Sequence, residues 1–193
     1  MSPISRADLK VLHEDESLLV IDKPSGMAVH PARGMSKEEQ TLVDVVGEGF
    51  EPLHRLDRGT SGVLVFCSDP KRRSLLQGGW EQMKKTYWAK VGPGFEQALG
   101  AQEGVLKKKL RNRKGILQSA QTQWKVLRDS SEETLLELKP ITGRKHQLRR
   151  HLKAAGFPIV GDEKYGGLSS DRMYLHCVEL EGLGICAHCP IDW

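Results

Sequence analysis

A short apolar run, residues 63–67 (Val-Leu-Val-Phe-Cys), constrains the fold more than any other part of the chain. Consecutive β-branched and aromatic residues are typical of a buried strand. The loop before it, residues 54–62 (His-Arg-Leu-Asp-Arg-Gly-Thr-Ser-Gly), carries one carboxylate, Asp57, between two arginines. Glycines permit unusual backbone angles or the close approach of a ligand, and a buried strand is a rigid base. The pattern therefore indicates a reactive group that the loop and the strand hold in a fixed position. An ordinary surface turn with an Asp–Arg pair is the alternative, and the rest of the chain argues against it.

Length and composition are those of an ordinary globular protein. The 193 residues, 38% hydrophobic and 28% charged, fit one domain, which we expect to span residues 1–193. The sequence has no apolar run of the roughly 20 residues that a membrane-spanning helix needs. The N-terminal segment lacks the apolar core of a secretory signal, so we expect a cytoplasmic protein whose four cysteines are thiols. A net charge of +4 permits a nucleic-acid partner without requiring one.

Local patterns predict alternating strands and helices. Turn and capping signals divide the chain. Asp69-Pro70 is typical of the start of a helix, and Gly78-Gly79 is expected to end that helix. Two faces matter for function: Tyr87 alternates with Ala89 and Val91 on one face of a strand, and Arg149 flanks the buried side of a helix that Gly156 closes. The predicted strands cover residues 18–21, 27–31, 63–67, 86–91, 119–127, 134–139, 157–162 and 172–180, and the predicted helices cover residues 41–46, 70–78 and 141–156.

The most basic part of the chain is residues 106–118, with six lysines and arginines close together. One interpretation is a solvated charged hairpin, and the other is an arm that contacts phosphates. Charge alone does not decide between them.

Four motifs, in order along the chain, resemble those of RluA-type pseudouridine synthases. The similarity runs from about residue 18 to about residue 180. The motifs are residues 54–62, residues 85–91 (Lys-Thr-Tyr-Trp-Ala-Lys-Val), residues 142–149 (Thr-Gly-Arg-Lys-His-Gln-Leu-Arg) with residues 156–162 (Gly-Phe-Pro-Ile-Val-Gly-Asp) and Tyr165, and finally Leu175-His176. The resemblance implies an α+β catalytic domain with a mixed, largely antiparallel sheet in two halves and an active-site cleft between the halves.

The resemblance also implies roles for individual residues. Asp57 matches the nucleophile that converts a uridine to pseudouridine, and Arg149 matches the arginine that pairs with this aspartate. Tyr87 matches the tyrosine that packs against the uracil, an aromatic face suited to stacking on an extruded base. Arg55 matches a residue that helps to displace the nucleotide. Attack at C1′, formation of a glycal and addition at C6 all remain open as the first chemical step.

The implied partner is structured RNA, either ribosomal or transfer RNA. Because isomerisation needs no redox partner or phosphoryl donor, and the chain has no GxGxxG or P-loop pattern, we expect no cofactor. Fewer than twenty residues precede the first predicted strand, so we expect no separate N-terminal RNA-binding domain, and we expect a monomer. The predicted RNA contacts are Arg55, Arg58, Thr60, Lys107, Lys108, Lys109 and Arg144. Further phosphate contacts are expected from the rest of the basic arm, up to Lys114, and from the basic helix through Lys145, Arg150 and Lys153.

Several histidines and cysteines invite a metal or acid–base interpretation. His176, Cys177, Cys186, His188 and Cys189 resemble a set of ligands, but their spacing does not form two zinc-finger pairs, so we predict no metal site. For His54, His146 and His151, which lie beside arginine or within a predicted helix, packing and hydrogen bonding explain the residues better than acid–base catalysis.

Two other functions compete with the pseudouridine synthase. One is an RNA-binding protein or RNA folding factor without turnover, against which the intact set Asp57, Tyr87 and Arg149 argues. The other is an enzyme that hydrolyses the glycosidic bond with Asp57. Such hydrolases generally use paired carboxylates or a metal, and no second carboxylate is implied here. Hydrolysis would release free uracil, whereas isomerisation would retain it.

Overall fold

A computed structural model describes residues 4–32, 34–36 and 38–193. Residues 1–3, part of the N-terminal segment on which the localisation prediction depends, lie outside these ranges. The chain divides into two compact units. The first unit comprises the chain up to Lys84 together with Cys177–Trp193, and the second unit comprises Lys85–His176. No helix among the described residues is long and apolar enough to cross a membrane.

Strands carry most of the regular structure, and short helices connect or flank them, so the predicted α+β class is confirmed. The strands are β1 (Lys10–Glu14), β2 (Leu18–Lys23), β3 (Glu51–Pro52), β4 (Ser61–Cys67), β5 (Lys84–Val91), β6 (Glu103–Arg111), β7 (Leu117–Asp129), β8 (Thr134–Pro140), β9 (Leu175–Gly182) and β10 (Ile185–His188). The helices are α1 (Leu42–Val46), α2 (Pro70–Gly78), α3 (Phe95–Leu99) and α4 (Gln147–Ala154), and short 3-10 turns occupy Arg6–Asp8, Trp80–Gln82 and Glu163–Tyr165.

In the first unit, β2 and β4 form the buried centre of a sheet with the strand order β1-β2-β4-β9, in which β3 pairs with β4 and β10 with β9. β2 and β4 are antiparallel, in a register that runs from Leu18 opposite Cys67 to Lys23 opposite Gly62. All seven residues of β4 are buried, as the apolar run predicted. The predicted start of α2 is also confirmed, because the Asp69 side chain accepts a hydrogen bond from the Arg72 backbone N–H at 2.8 Å.

The strand predicted over residues 27–31 is wrong. The carbonyls of Ala28 and Val29 accept hydrogen bonds from the backbone N–H groups of Leu42 and Val43 at 2.9 and 3.2 Å. These two donors open α1 and have no partner within the helix. This segment therefore provides hydrogen-bond acceptors for the first N–H groups of α1 and does not join the sheet.

The second unit contains an antiparallel sheet with the strand order β5-β8-β7-β6. Its core brings Ala89 and Val91 of β5 together with Leu148 and Leu152 of α4, and Tyr87 packs against this cluster while staying half-buried. The alternation predicted for β5 is thus confirmed. The hairpin predicted from residues 119–127 and 134–139 is confirmed as β7 and β8.

The helix predicted over residues 141–156 is correct only in its second half, because α4 starts at Gln147. His146 has a left-handed backbone with φ of 51°, which interrupts a helix before that point. The Gln147 side chain accepts hydrogen bonds from the Arg144 backbone N–H at 3.0 Å and from the Thr142 hydroxyl at 2.7 Å. These contacts stabilise a turn where the pattern predicted a helix. Gly156 follows the helix with φ of 90°, as expected for its end. The strand predicted over residues 157–162 is wrong, because only Ile159 pairs there, in an isolated bridge with Val91. The closing strand begins at Leu175, three residues later than predicted.

Candidate active site

Asp57 lies in a tight turn directly before β4. Its carbonyl accepts a hydrogen bond from the Thr60 backbone N–H at 3.0 Å. Leu56 and Thr60 are buried on either side, while Asp57 is half-buried. A loop that anchors its flanking residues in the core leaves Asp57 little backbone freedom, which suits a reactive group.

A buried lysine fastens this turn to the end of β2. Lys23 has 0% exposure, and its ammonium donates to the backbone carbonyls of Pro24 at 2.7 Å, Met27 at 2.6 Å and Arg58 at 3.1 Å. A fully buried lysine is rare because removing its charge from water is costly. Three carbonyl acceptors match the three donors of the ammonium. Lys23 therefore connects the segment after β2 to the loop of Asp57. The carbonyl that it reaches in that loop belongs to Arg58, the residue directly after Asp57.

Further hydrogen bonds to backbone carbonyls hold the same two segments together. The Gly26 N–H donates to the Arg58 carbonyl at 2.9 Å, and the Ser25 hydroxyl donates to the Gly59 carbonyl at 2.7 Å. The Arg58 Nε donates to the Gly26 carbonyl at 2.8 Å, and its guanidinium also pairs with Glu39 at 2.5 Å. Arg58 therefore supports the loop in addition to its predicted role in RNA binding. Thr60 is only 2% exposed, which favours a supporting role over direct contact with RNA.

At Gly62, β4 lies very close to the backbone of the neighbouring strand β9. Its φ is +107°, and a Cβ built there would lie 2.2 Å from the carbonyl oxygen of Cys177 in β9. The close approach anticipated for a glycine in this loop thus involves a neighbouring strand, and only glycine fits.

In the second unit, Arg149 is buried on α4 and pairs with Asp162. Its Nε lies 2.7 Å from Asp162 Oδ2 and its Nη2 lies 2.8 Å from Oδ1, a two-pronged pairing that sets the plane of the guanidinium. The side chains of Arg149 and Asp162 are 11% and 1% exposed. A buried charge needs such a partner. Asp162 is the carboxylate that the second unit supplies to Arg149, and no role was predicted for it.

Tyr165 completes the surroundings of this ion pair. The Arg149 guanidinium lies 4.9 Å from the centre of the Tyr165 ring, close enough for a cation–π interaction. The Tyr165 backbone N–H donates to Asp162 at 3.3 Å, and the Tyr165 hydroxyl lies 2.9 Å from Nδ1 of His146. Arg149 is therefore oriented by a carboxylate and by an aromatic ring that is itself held in place.

The remaining predicted RNA contacts lie at the surface or near it. Arg55 is exposed in the first unit. In the second unit, Lys107, Lys108 and Lys109 are exposed on β6, which forms a hairpin with β7. Arg144 is half-buried, and its Nε donates to the Ser119 carbonyl at 3.2 Å. The hairpin is confirmed, and its contact with phosphates stays a prediction.

The histidines are engaged in packing and hydrogen bonds, as the sequence suggested. His54 stacks on Trp80 with the ring centres 4.8 Å apart, and its Nε2 accepts from the Val65 backbone N–H at 3.3 Å. His151 is buried, and its Nδ1 lies 3.0 Å from the Thr122 hydroxyl. Burial lowers the pKa of His151, and the positive charges of Lys108 and Arg150 lower it further.

All four cysteines are free thiols, and Cys186 alone among them is exposed. Burial raises the pKa of the Cys189 thiol to about 11, so this thiol is protonated at neutral pH.

The structure thus groups the predicted residues by unit. Asp57, Arg55, Arg58 and Thr60 share one loop of the first unit, and Tyr87, Arg149, Arg144 and the three lysines belong to the second. Sequence reasoning missed Lys23 and Asp162. A lysine at the end of an apolar strand, next to a Pro-Ser-Gly turn, and an aspartate that ends one of the quoted motifs were the available signals.

Comparison with known proteins gives one consistent result. Residues 17–154 match a family model described as RNA pseudouridylate synthase. The chain is 35% identical over 214 residues to tRNA pseudouridine synthase C of Vibrio parahaemolyticus serotype O3:K6 (strain RIMD 2210633), covering 93% of this chain and 85% of the relative. It is also 35% identical over 197 residues to ribosomal large subunit pseudouridine synthase C of Escherichia coli (strain K12), covering 89% of this chain and 61% of the relative.

A solved structure has the same fold. Human RNA Pseudouridylate Synthase Domain Containing 4 superposes with a TM-score of 0.79 at 26% sequence identity, covering 95% of this chain and 88% of the human chain. The predicted fold, an α+β domain of the pseudouridine synthase type, is therefore confirmed.

Proposed function

This chain belongs to the RNA pseudouridylate synthase family and is an isomerase that acts on RNA, and we propose that it converts specific uridines of a structured RNA to pseudouridine with Asp57 as the nucleophile. The observation that carries the proposal is the set of hydrogen bonds that hold the turn of Asp57 in place. A half-buried carboxylate sits on a turn that a buried lysine and several backbone hydrogen bonds hold against β2. Preorganisation of this kind favours a group that must meet its target atom in one geometry.

The uracil stays bound in the active site throughout the proposed reaction. The N1–C1′ bond breaks, the uracil turns, C5 bonds to C1′, the hydrogen on C5 leaves as a proton, and N1 takes up a proton. The target nucleotide is extruded from the RNA, because a stacked and paired base would hide the reacting atoms. We propose that Tyr87 stacks on the uracil, for which its half-buried position on β5 is suitable.

Arg149 is proposed to supply the positive charge that keeps the reacting carboxylate ionised. Its two bonds to Asp162 support this role, because a guanidinium with a set plane presents its remaining donors in a defined direction. We assign Asp162 and Tyr165 as positioning residues for Arg149. Arg55 is proposed to assist displacement of the nucleotide, and its exposure is compatible with that.

The relatives support two classes of RNA as the substrate. Relatives named for transfer RNA and for the large ribosomal subunit are equally similar, at 35% identity each. We therefore propose that the substrate is transfer or ribosomal RNA and that the protein acts as a cytoplasmic monomer.

Release of tritium from RNA labelled at uridine C5 tests the proposal. We expect release by the wild-type protein, and a loss of at least about a thousandfold in Asp57→Asn and Asp57→Ala, because no other group replaces a nucleophile. The control is Glu51→Gln, which neutralises an exposed carboxylate of the same unit and should keep full activity. Bulk unmodified ribosomal and transfer RNA are assayed separately to identify the substrate class.

Each other outcome favours a different function. Tight RNA binding without tritium release would favour the RNA-binding protein or folding factor. Free uracil in the product would indicate hydrolysis of the glycosidic bond. Release that survives in both Asp57 variants would exclude Asp57 as the nucleophile.

A further inference from the structure

Three consecutive lysines on β6 cannot all face the same side of the sheet. Side chains of a strand alternate, so Lys108 lies on one face while Lys107 and Lys109 lie on the other. The register with β7 places Lys108 opposite Ala120, which is fully buried, whereas Lys107 and Lys109 are opposite Gln121 and Ser119. All three lysines are exposed, and charge alone does not distinguish them.

Strand register connects Lys108 to Tyr87. Tyr87 is opposite Leu138, and Leu138 is opposite Trp124 in β7. Directly opposed residues of antiparallel strands project to the same face, and so do residues two or four apart along a strand. Ala120 is four residues from Trp124 with no bulge between them, and Lys108 is opposite Ala120. Tyr87 and Lys108 therefore share one face, which Lys107 and Lys109 do not.

Helix α4 covers this same face. The Thr122 hydroxyl, which projects alongside Ala120 and Trp124, lies 3.0 Å from His151 Nδ1 and 3.0 Å from Gln147 Nε2. Helix α4 also contacts β6 near Lys108, because the Arg150 guanidinium reaches the carbonyl of Arg111, three residues further along the strand. The positive charge of Lys108 lowers the pKa of His151. Arg150 follows Arg149 on α4, acts on His151 in the same way, and donates to the Arg111 carbonyl at 3.2 Å.

We propose that Lys108, together with Arg150, binds a phosphate of the substrate RNA on the sheet face that carries Tyr87, and that Lys107 and Lys109 do not contact the RNA. This inference depends on the proposed function. It narrows the basic arm to one lysine, because Lys108 is the one of the three lysines that lies on the sheet face of Tyr87. Lys108 and Arg150 both add positive potential around His151, which an anion would relieve.

The three lysines provide matched variants, since Lys107→Ala, Lys108→Ala and Lys109→Ala each remove one charge from the same strand. RNA affinity is measured for each variant as a function of salt concentration. A lost phosphate contact reduces the slope of log affinity against log salt by about 1. We expect that reduction, with a several-fold weaker affinity, in Lys108→Ala alone. Equal changes in all three variants, or a larger change in Lys107→Ala or Lys109→Ala, would overturn the proposal.

The titration of His151, followed by NMR in the protein without RNA, tests the placement independently. Removing the nearby charge in Lys108→Ala should raise the pKa of His151, and Lys107→Ala should raise it less. An unchanged pKa in Lys108→Ala would overturn the placement, and with it the proposal. Tritium release by the wild-type protein distinguishes failure of the proposed function from failure of this inference. If no tritium is released, the proposed function fails. If tritium is released but the salt slopes of the three variants are equal, only the inference about Lys108 is overturned.

Discussion

Asp57 and Arg149, the two charged residues proposed for the active site, are held in place in opposite ways. In the first unit, the acceptors are backbone carbonyls: the turn at Asp57 is joined to residues 24–27 by bonds that a backbone N–H group, the Ser25 hydroxyl and the ammonium of Lys23 donate to carbonyls. In the second unit, Arg149 is oriented by other side chains, those of Asp162 and Tyr165. A position set by the backbone depends on the few residues that allow that backbone, whereas a position set by side chains depends on one specific partner.

The largest effect is expected from a change to the backbone-controlled loop, Gly62→Ala. The added Cβ would lie 2.2 Å from the Cys177 carbonyl oxygen, and φ of +107° is unfavourable for alanine. Backbone strain and overpacking together should lower the free energy of unfolding by about 4 kcal/mol, measured by urea denaturation. The control is Gly26→Ala, where φ is +86° but no atom lies within 4 Å, so only about 1 kcal/mol should be lost. Equal losses would contradict the steric explanation.

The next largest effect is expected from Asp162→Asn in the second unit. Removing one charge of a buried pair leaves the other uncompensated, so the free energy of unfolding should fall by about 3 kcal/mol. Turnover should fall as well, with little change in RNA affinity, because Arg149 loses its orientation.

The matched control for Asp162→Asn is Glu137→Gln. Glu137 pairs with Lys139 at a similar distance of 2.8 Å, but the lysine side chain is 50% exposed. This substitution should cost less than about 1 kcal/mol and leave turnover unchanged. If Asp162→Asn were as mild as its control, the orientation of Arg149 would not depend on side chains.

The smallest of the three effects on stability is expected from Lys23→Met. The substitution keeps the buried volume but leaves the Pro24 and Met27 carbonyls without the ammonium donor, which should cost about 2 kcal/mol. Turnover should also fall because the loop at Asp57 loosens. Lys10→Met is the control, since Lys10 is 64% exposed and pairs with Asp22 at 3.4 Å, and it should cost less than about 1 kcal/mol. A gain of stability in Lys23→Met would mean that the cost of burying the charge exceeds its hydrogen bonds.

Local patterns in the sequence were sufficient for much of the fold. The apolar runs at β2 and β4, the alternation in β5, the hairpin of β7 and β8, and the Asp-Pro start of α2 all predicted the right element. These signals depend on residues within a few positions of one another, where burial and capping leave a direct mark on the sequence. The motif at residues 54–62 likewise identified the loop that carries Asp57.

Tertiary contacts decided the rest. Asp162 is the partner of Arg149 from 13 residues away, Lys23 reaches the Arg58 carbonyl from 35 residues away, and residues 27–31 serve α1 where a strand was expected. Strand register, which no local pattern specifies, puts Lys108 on the same face as Tyr87. The sequence by itself therefore determined which residues are proposed to carry the chemistry, because their types and order are local facts. Only the tertiary structure decided what holds them, because hydrogen-bond partners and sheet faces are set by segments far apart along the chain.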